Sequence, residues 1–326
     1  MTKLKRGNGW LRSLFQKETM NTKKLSLGLV FVLFAGNLPV QSAVNLPQND
    51  SAFFNQVGQI QVLLKQKTSS LGHLTESKKA LGKQTIYRDI LNRLSNTGVP
   101  DSFVHQALFN PKTKIIPAII SLFHRSAEKM PYEEYRKRFI TKSNINYGAA
   151  FYQKHAKLLT QIQSDYQVDP LVLVSLVGVE TRWGHVTGNI PVISALYTIS
   201  AKIPALSDWA RQELAAYMEL CYKGSIPPQS VDGSYAGAFG YFQFMPSSYN
   251  AYAVDFDGDG LKDWKTWPDV LASVSHYLIA HGYAPGGYGQ GSAVWNSIYA
   301  YNPSDNYVRA ILELRAKISQ KLSNNN

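Results

Sequence analysis

Residues Val168 to Gly184 read "VDPLVLVSLVGVETRWG". Asp169 followed by Pro170 marks a helix start, because an aspartate oxygen accepts from an orphan N–H and proline pre-sets φ at the first helical position. The apolar residues that follow cover nearly every face of a helix running to about Trp183, which predicts a buried core helix. Glu180 stands in its last turn. Apolar surroundings disfavour a charged carboxylate there, and the partial negative charge at a helix C-terminus repels it, so both effects raise its pKa. A carboxyl group that keeps its proton near neutral pH is what protonation of a glycosidic leaving oxygen requires, which makes Glu180 a candidate general acid. On this helix alone, a surface glutamate paired with Arg182 or a lysine is an equal reading.

Two further segments carry chemistry. In "GSYAGAFGYFQFMPSSY" (Gly233 to Tyr249), small residues allow close approach of backbone to a ligand. Tyr241, Phe242 and Phe244 can stack on sugar rings, and Gln243 can hydrogen-bond hydroxyl or N-acetyl groups. As pattern alone, packing of these aromatics in a core is the default reading. In "DFDGDGLKDWKTWPD" (Asp255 to Asp269), Asp255, Asp257 and Asp259 fall at positions 1, 3 and 5. Gly260 supplies the turn at position 6 and Leu261 a carbonyl at position 7, as in an EF-hand-like calcium loop. Position 12 is Thr266, so Asp269 at position 15 is the acidic residue available to close an extended loop.

The rest of the chain frames these segments. Its 326 residues, 44% hydrophobic and 12% aromatic, suffice for one large or two ordinary domains with filled cores. Residues 1–43 read as a secretory signal, with Lys23 and Lys24 before the 12-residue apolar run Leu25–Gly36 and small residues near Ser42 and Ala43. Met20 is a natural start for that signal. The run is too short to span a bilayer, which takes about 20 residues. Cys221, the single cysteine, lies far from the cleavage region, so lipid attachment there is not expected and neither is a transmembrane anchor in the mature protein. Burial as a small hydrophobe is its expected role. A soluble, exported, periplasmic protein follows.

Removing residues 1–43 lowers the net charge from +12 to +6, a modest excess suited to an anionic polymer such as a carboxylate-bearing wall. No compact basic patch or aromatic platform suggests nucleic acid. His276 and His281 are five apart and do not share a helical face, which argues against a histidine metal site. Short helices are expected within 44–97, including 53–64. Further helices are expected over Pro100–Phe109, two between Pro117 and Arg138, and a long one over Tyr147–Tyr166. Beyond Gly184 the pattern is helices joined by Gly/Pro turns, with no alternating runs long enough for a sheet. The fold class is mainly α.

Taken in order, "GVETRWG", "GSYAGAFGYFQFMPSSY" and "AVDFDGDG" resemble the lytic murein transglycosylases of the B type, a family with a lysozyme-like helical catalytic core. The resemblance spans roughly Gly98–His281. It implies three regions: a signal (1–43), an N-terminal helical extension (44–97) and a transglycosylase domain (98–326). It assigns the role of sole catalytic acid/base to Glu180. Ser234 and Gln243 would line the glycan cleft, and "YRKRFIT" would bring Tyr135 to it. "YN" near the C-terminus would add Tyr301 and Asn302, with Arg182, Tyr241 and Phe244 completing the substrate-binding set. The family's calcium loop is also 15 residues long and ends in aspartate, so Asp255, Asp257, Asp259, Leu261 and Asp269 would hold a structural Ca²⁺, with no cofactor needed for catalysis.

The implied reaction cleaves the β-1,4 bond between N-acetylmuramic acid and N-acetylglucosamine in peptidoglycan without water, leaving a 1,6-anhydro sugar. Asp208 and Glu213, the nearest downstream acids, are expected at the surface. A hydrolytic muramidase and a non-catalytic wall-binding module are the alternatives, and wall-synthesis or secretion machinery are possible partners. Three departures from the family pattern stand out. Phe242 replaces a common glycine and is expected to narrow a subsite. "GYAPGGYGQGS" stands in place of a small β-containing lobe between His281 and Tyr301, and residues 44–97 match poorly.

Overall fold

The computed structural model describes residues 82–124 and 130–324; the signal reading for residues 1–43 and the helix expected at 53–64 lie outside them. The mainly α expectation holds. In chain order the helices are α1 (82–94), α2 (Asp101–Phe109), α3 (Pro117–His124), α4 (Tyr132–Arg136), α5 (Lys142–Lys154), α6 (Ala156–Tyr166) and α7 (Pro170–Thr181). After the two-residue strand β1 (Ile190–Pro191) come α8 (Val192–Lys202), α9 (Ser207–Lys223) and strand β2 (Asp232–Gly233). The chain ends with α10 (Pro246–Tyr252), α11 (Trp267–Ala280), α12 (Ala293–Tyr301) and α13 (Asp305–Ser323). β1 and β2 form an antiparallel pair, Ile190 opposite Gly233 and Pro191 opposite Asp232.

The helix α7 is the centre of the larger core. Asp169 caps it through Oδ1, which accepts from Leu171 N at 2.8 Å, with Pro170 in the first turn as expected. Val172, Leu173, Val174, Leu176 and Val177 have no exposed surface. Burying each is worth about 1.5–3 kcal/mol, so truncating Leu173 to alanine would cost about 2–5 kcal/mol. α13, α5, α6 and α11 surround this helix. Gly178 is small because the Trp183 ring lies against it: an added Cβ would meet Trp183 Cζ2 at 2.5 Å.

A second core joins α1, α2, α8 and α9. Ile86, Ile90 and Leu94 of α1, within the stretch read as an extension, belong to it. The segment from Gly233 to Tyr249 runs between the two cores, with Phe239 in one and Phe242 and Phe244 in the other. No described helix is long and apolar enough to cross a membrane.

Two expectations need correction here. The helix expected over Tyr147–Tyr166 is broken at His155, whose backbone (φ −108°, ψ 18°) ends α5 and begins α6. Its ring packs on Phe151 and Trp267, so tertiary contacts with the start of α11 set the bend. Glu213 is not a surface residue: it is 5% exposed and accepts from both N (3.0 Å) and Oγ (2.7 Å) of Ser247. It thereby satisfies an orphan N–H in the first turn of α10. Asp208 is exposed and pairs with Arg93 at 2.5 Å. Cys221 is fully buried, and burial pushes its thiol up to about 12.

Candidate active site

Glu180 is 6% exposed in the last turn of α7. Burial pushes its carboxyl up to about 8, against a smaller opposing effect from the hydroxyl of Tyr307, which donates to Oε1. Oε2 has no hydrogen-bond partner among the described residues. Arg182 is exposed and makes no ion pair with Glu180, so the surface-pair reading does not describe this glutamate. Burial therefore favours the protonated form of this carboxyl.

Three phenols from three helices feel the charge of Glu180: Tyr307 in the first turn of α13 through its hydrogen bond, and Tyr135 of α4 and Tyr301 at the end of α12 at longer range. Each has its pKa raised first by burial and then by the charge of Glu180, Tyr135 to about 12. Tyr301 donates to Phe242 O at 2.5 Å and meets Tyr277 edge-on at 4.8 Å. Asn302 is half-buried at the C-cap of α12. Tyr307 escaped the sequence reading. Its signal was the buried stripe Tyr307, Ile311, Leu314 and Ile318 of α13, which opens on a polar ring.

Backbone strain collects around the same place. Arg182 (φ 49°), Trp183 (φ 55°) and Gln243 (φ 51°) are non-glycine residues in the left-handed region. Trp183 is held by its indole N–H, which donates to Val174 O at 3.0 Å. Thr181 Oγ1 accepts from Gly184 N (3.0 Å) and itself donates to Tyr241 O (3.1 Å), tying the end of α7 to the Gly/aromatic segment. Gly184 adopts φ 85°, and its bare Cα allows the Tyr241 ring to lie against it.

The predicted cleft residues divide into two groups. Tyr241 is half-buried, its ring 4.7 Å from that of Trp267. Ser234 is half-buried and Oγ accepts from Ala238 N at 3.1 Å. Gln243 is 7% exposed, with Nε2 donating to Gly240 O (2.8 Å) and Thr187 O (3.2 Å) and Oε1 left without a partner among the described residues. Phe244, by contrast, is 2% exposed, enclosed by Phe242, Tyr277 and Tyr301, and offers no face to a sugar. Phe242 is likewise buried, stacked on Phe244 at 4.3 Å. It fills core volume and does not narrow a subsite, because the turn at Gly240 directs the ring inward.

In the acidic loop, carboxylate oxygens of Asp255, Asp257 and Asp269 come within 4.8 Å of one another. Asp269 is buried and also folds the loop back on its own end, accepting from Phe256 N and Asp263 N at 2.8 Å each. Asp259 Oδ1 accepts from Leu261 N, and its carboxylate is outside the three-carboxylate group. Hard oxygen donors at this spacing fit Ca²⁺. Histidines contribute no metal cluster among the described residues; His276 Nδ1 lies 3.1 Å from Tyr252 O and His281 stacks on Tyr277.

The Gly/Tyr-rich segment 282–292 is tied to the start of α7. Tyr288 donates to Asp169 Oδ2 at 2.7 Å, Arg315 Nε donates to the same oxygen at 2.8 Å, and Asp169 N donates to Tyr283 Oη at 2.9 Å. The N-cap of the helix that carries Glu180 is thus held from outside.

Residues 82–294 match the family model described as "Transglycosylase SLT domain", which takes in α1 as well as the three motifs. Membrane-bound lytic murein transglycosylase B of Escherichia coli (strain K12) is 40% identical over 152 residues, 47% of this chain and 42% of that protein. The chain therefore spans less than half the length of that relative. Among solved structures, the Escherichia coli lytic transglycosylase Slt35, in complex with bulgecin A and in complex with calcium, superposes with a TM-score of 0.66 at 26% identity. That match covers 74% of this chain and 94% of Slt35. The soluble lytic transglycosylase SltB1 of Pseudomonas aeruginosa gives 0.67 at 27% identity, covering 73% of this chain and 99% of its own. With its lysozyme-like helical core and most of its length inside that match, the chain belongs to the transglycosylase SLT family.

Proposed function

We propose that this protein is an exported, periplasmic lytic transglycosylase that cleaves peptidoglycan between N-acetylmuramic acid and N-acetylglucosamine and leaves a 1,6-anhydro end. The observation that carries the reading is the buried Glu180 in the last turn of α7, held by Tyr307 in a fold of this family, where burial favours the protonated acid. Glu180 would protonate the glycosidic oxygen as the bond to C1 breaks. Its carboxylate would then take the proton of the muramoyl C6 hydroxyl while that oxygen attacks C1, returning Glu180 to its starting state. No water is consumed.

No second carboxylate influences Glu180 among the described residues, which suits this sequence of steps. A retaining or inverting hydrolase would use two carboxylates. Ser234, Gln243, Tyr241, Tyr135, Tyr301, Asn302 and Arg182 are the proposed cleft residues. Asp255, Asp257 and Asp269 are proposed to hold a structural Ca²⁺, supported by their convergence and by the calcium complex of Slt35; the ion would brace the loop before α11 and take no part in the reaction.

The test is mass spectrometry of murein sacculi digested by wild type and by Glu180→Gln. Anhydromuropeptides from wild type alone are expected. Reducing ends from wild type would make the enzyme a hydrolase, and no products from wild type would leave a wall-binding module.

A further inference from the structure

The helix α4 has five residues, Tyr132–Arg136, too few to be stable without tertiary contacts. Yet it carries Tyr135, which is buried in the same cluster as Val179 and Tyr307 and feels the charge of Glu180. What fixes it is a single carboxylate on α13. Glu313 Oε2 accepts from Tyr132 Oη (2.6 Å) and Arg136 Nε (3.0 Å), while Oε1 accepts from Arg136 Nη2. The fork geometry of the guanidinium makes this pair directional. Two contacts reinforce it: the Arg309 guanidinium lies 3.7 Å from the Tyr132 ring centre, and Asn306 Nδ2 donates to Met130 O at 2.8 Å. Tyr307, on the same helix as Glu313, holds Glu180 directly.

We propose that Glu313 is a positioning residue: by clamping α4 to α13 it keeps Tyr135 in place beside Glu180, without touching substrate. Releasing the clamp admits water to Glu180. The groups that face Glu180 are Tyr135, Tyr301 and Tyr307, and no charged side chain of α5, α6 or α11 acts on it among the described residues. Around the clamp itself stand Glu133, paired with Arg136, Lys317, whose charge reaches Glu313, and Arg138, whose charge reaches Tyr135. Water near Glu180 removes the main cause of its raised pKa, so the alkaline limb of activity moves to lower pH.

This inference rests on the proposed activity, and the experiment separates the two. Sacculus solubilisation by the full chain is followed against pH for wild type, Glu313→Gln, Arg136→Gln and each change combined with Tyr135→Ala. Each clamp variant is expected to lower kcat about tenfold, as a misplaced active-site wall does. Each should also move the alkaline limb down by about one pH unit, and this shift should vanish in the Tyr135→Ala background because the two residues act in series. A purely structural role would lower activity equally at all pH values. An unmoved limb in both variants, or an equal shift without Tyr135, overturns the proposal. If wild type releases nothing, the activity reading fails, and carbon NMR titration of the Glu180 carboxyl takes its place: the same downward shift supports the clamp and an unchanged pKa overturns it.

Discussion

Tyr307 donates its phenolic proton to Oε1 of Glu180 across 127 residues of sequence, joining the end of α7 to the first turn of α13. A hydrogen bond of this kind favours the ionised carboxylate and opposes the larger effect of burial. Tyr307 therefore orients the acid while moderating its pKa. Tyr307→Phe should raise the pKa of Glu180 further and move the alkaline limb of kcat/KM to higher pH, the opposite direction from the clamp variants. Loss of orientation should lower kcat by about 10- to 100-fold. A limb that moves down instead would contradict this role.

The raised pKa also has a cost in stability. Between about 4.5, the ordinary carboxyl value, and about 8, the folded protein keeps a proton on Glu180 that the unfolded chain has released. Stability from this group is thus full below the lower value, falls as pH rises through the window and levels off above the upper one. Glu180→Gln stays neutral and escapes the fall. It should match wild type near pH 4 and exceed it by roughly 2–4 kcal/mol at pH 8. Urea unfolding at pH 4, 6 and 8 measures the difference; parallel curves for the two proteins would mean that Glu180 is not protonated in the fold.

What the sequence disclosed follows from how local each signal is. Asp169-Pro170, the apolar run and Glu180 lie on one helix, so cap, core and candidate acid were all readable from 12 residues. The acidic loop was readable for the same reason, although only the structure showed that Asp259 stays outside the group formed by Asp255, Asp257 and Asp269. Tyr307 was not readable, because nothing near it in sequence specifies that α13 crosses α7 at Glu180. Glu213 looked like an ordinary polar residue of α9, and its burial became visible only with Ser247 packed against it. Phe242 and Phe244 were ambiguous by pattern: aromatics in a glycine-rich turn suit a cleft or a core, and which way the turn faces is a tertiary matter.

Calcium should stabilise the folded protein by binding it in preference to the unfolded chain. At an ion concentration 100 times Kd the gain is about 3 kcal/mol, so EDTA should lower the melting temperature and added Ca²⁺ should restore it, with Mg²⁺ a poor substitute. Asp257→Asn should abolish the calcium response with little effect in EDTA. Asp269→Asn should be destabilising even in EDTA, because that side chain also accepts from Phe256 N and Asp263 N. A melting curve indifferent to EDTA would remove the calcium site.

The segment 282–292 is expected to act on the helix that carries Glu180 through Asp169. That carboxylate divides its oxygens: Oδ1 caps α7, and Oδ2 receives Tyr288 and Arg315. Arg315 also donates to Tyr288 Oη at 2.8 Å and lies over its ring, 4.2 Å from the centre, so the three side chains form a closed set. Tyr288→Phe removes two hydrogen bonds, one given to Asp169 and one received from Arg315, keeps the Arg315–Asp169 bond and the ring contact, and should cost about 1–2 kcal/mol. Asp169→Ala removes the helix cap, worth about 0.5–2 kcal/mol, and leaves Arg315 without its carboxylate, for a total of roughly 2–4 kcal/mol. Asp169→Asn keeps an acceptor for Leu171 N and should fall between them. In urea titrations the double variant Tyr288→Phe/Asp169→Ala should cost less than the two single losses added, since both remove the same contact. Strict additivity would mean that the segment and the cap are independent, and that 282–292 does not steady α7.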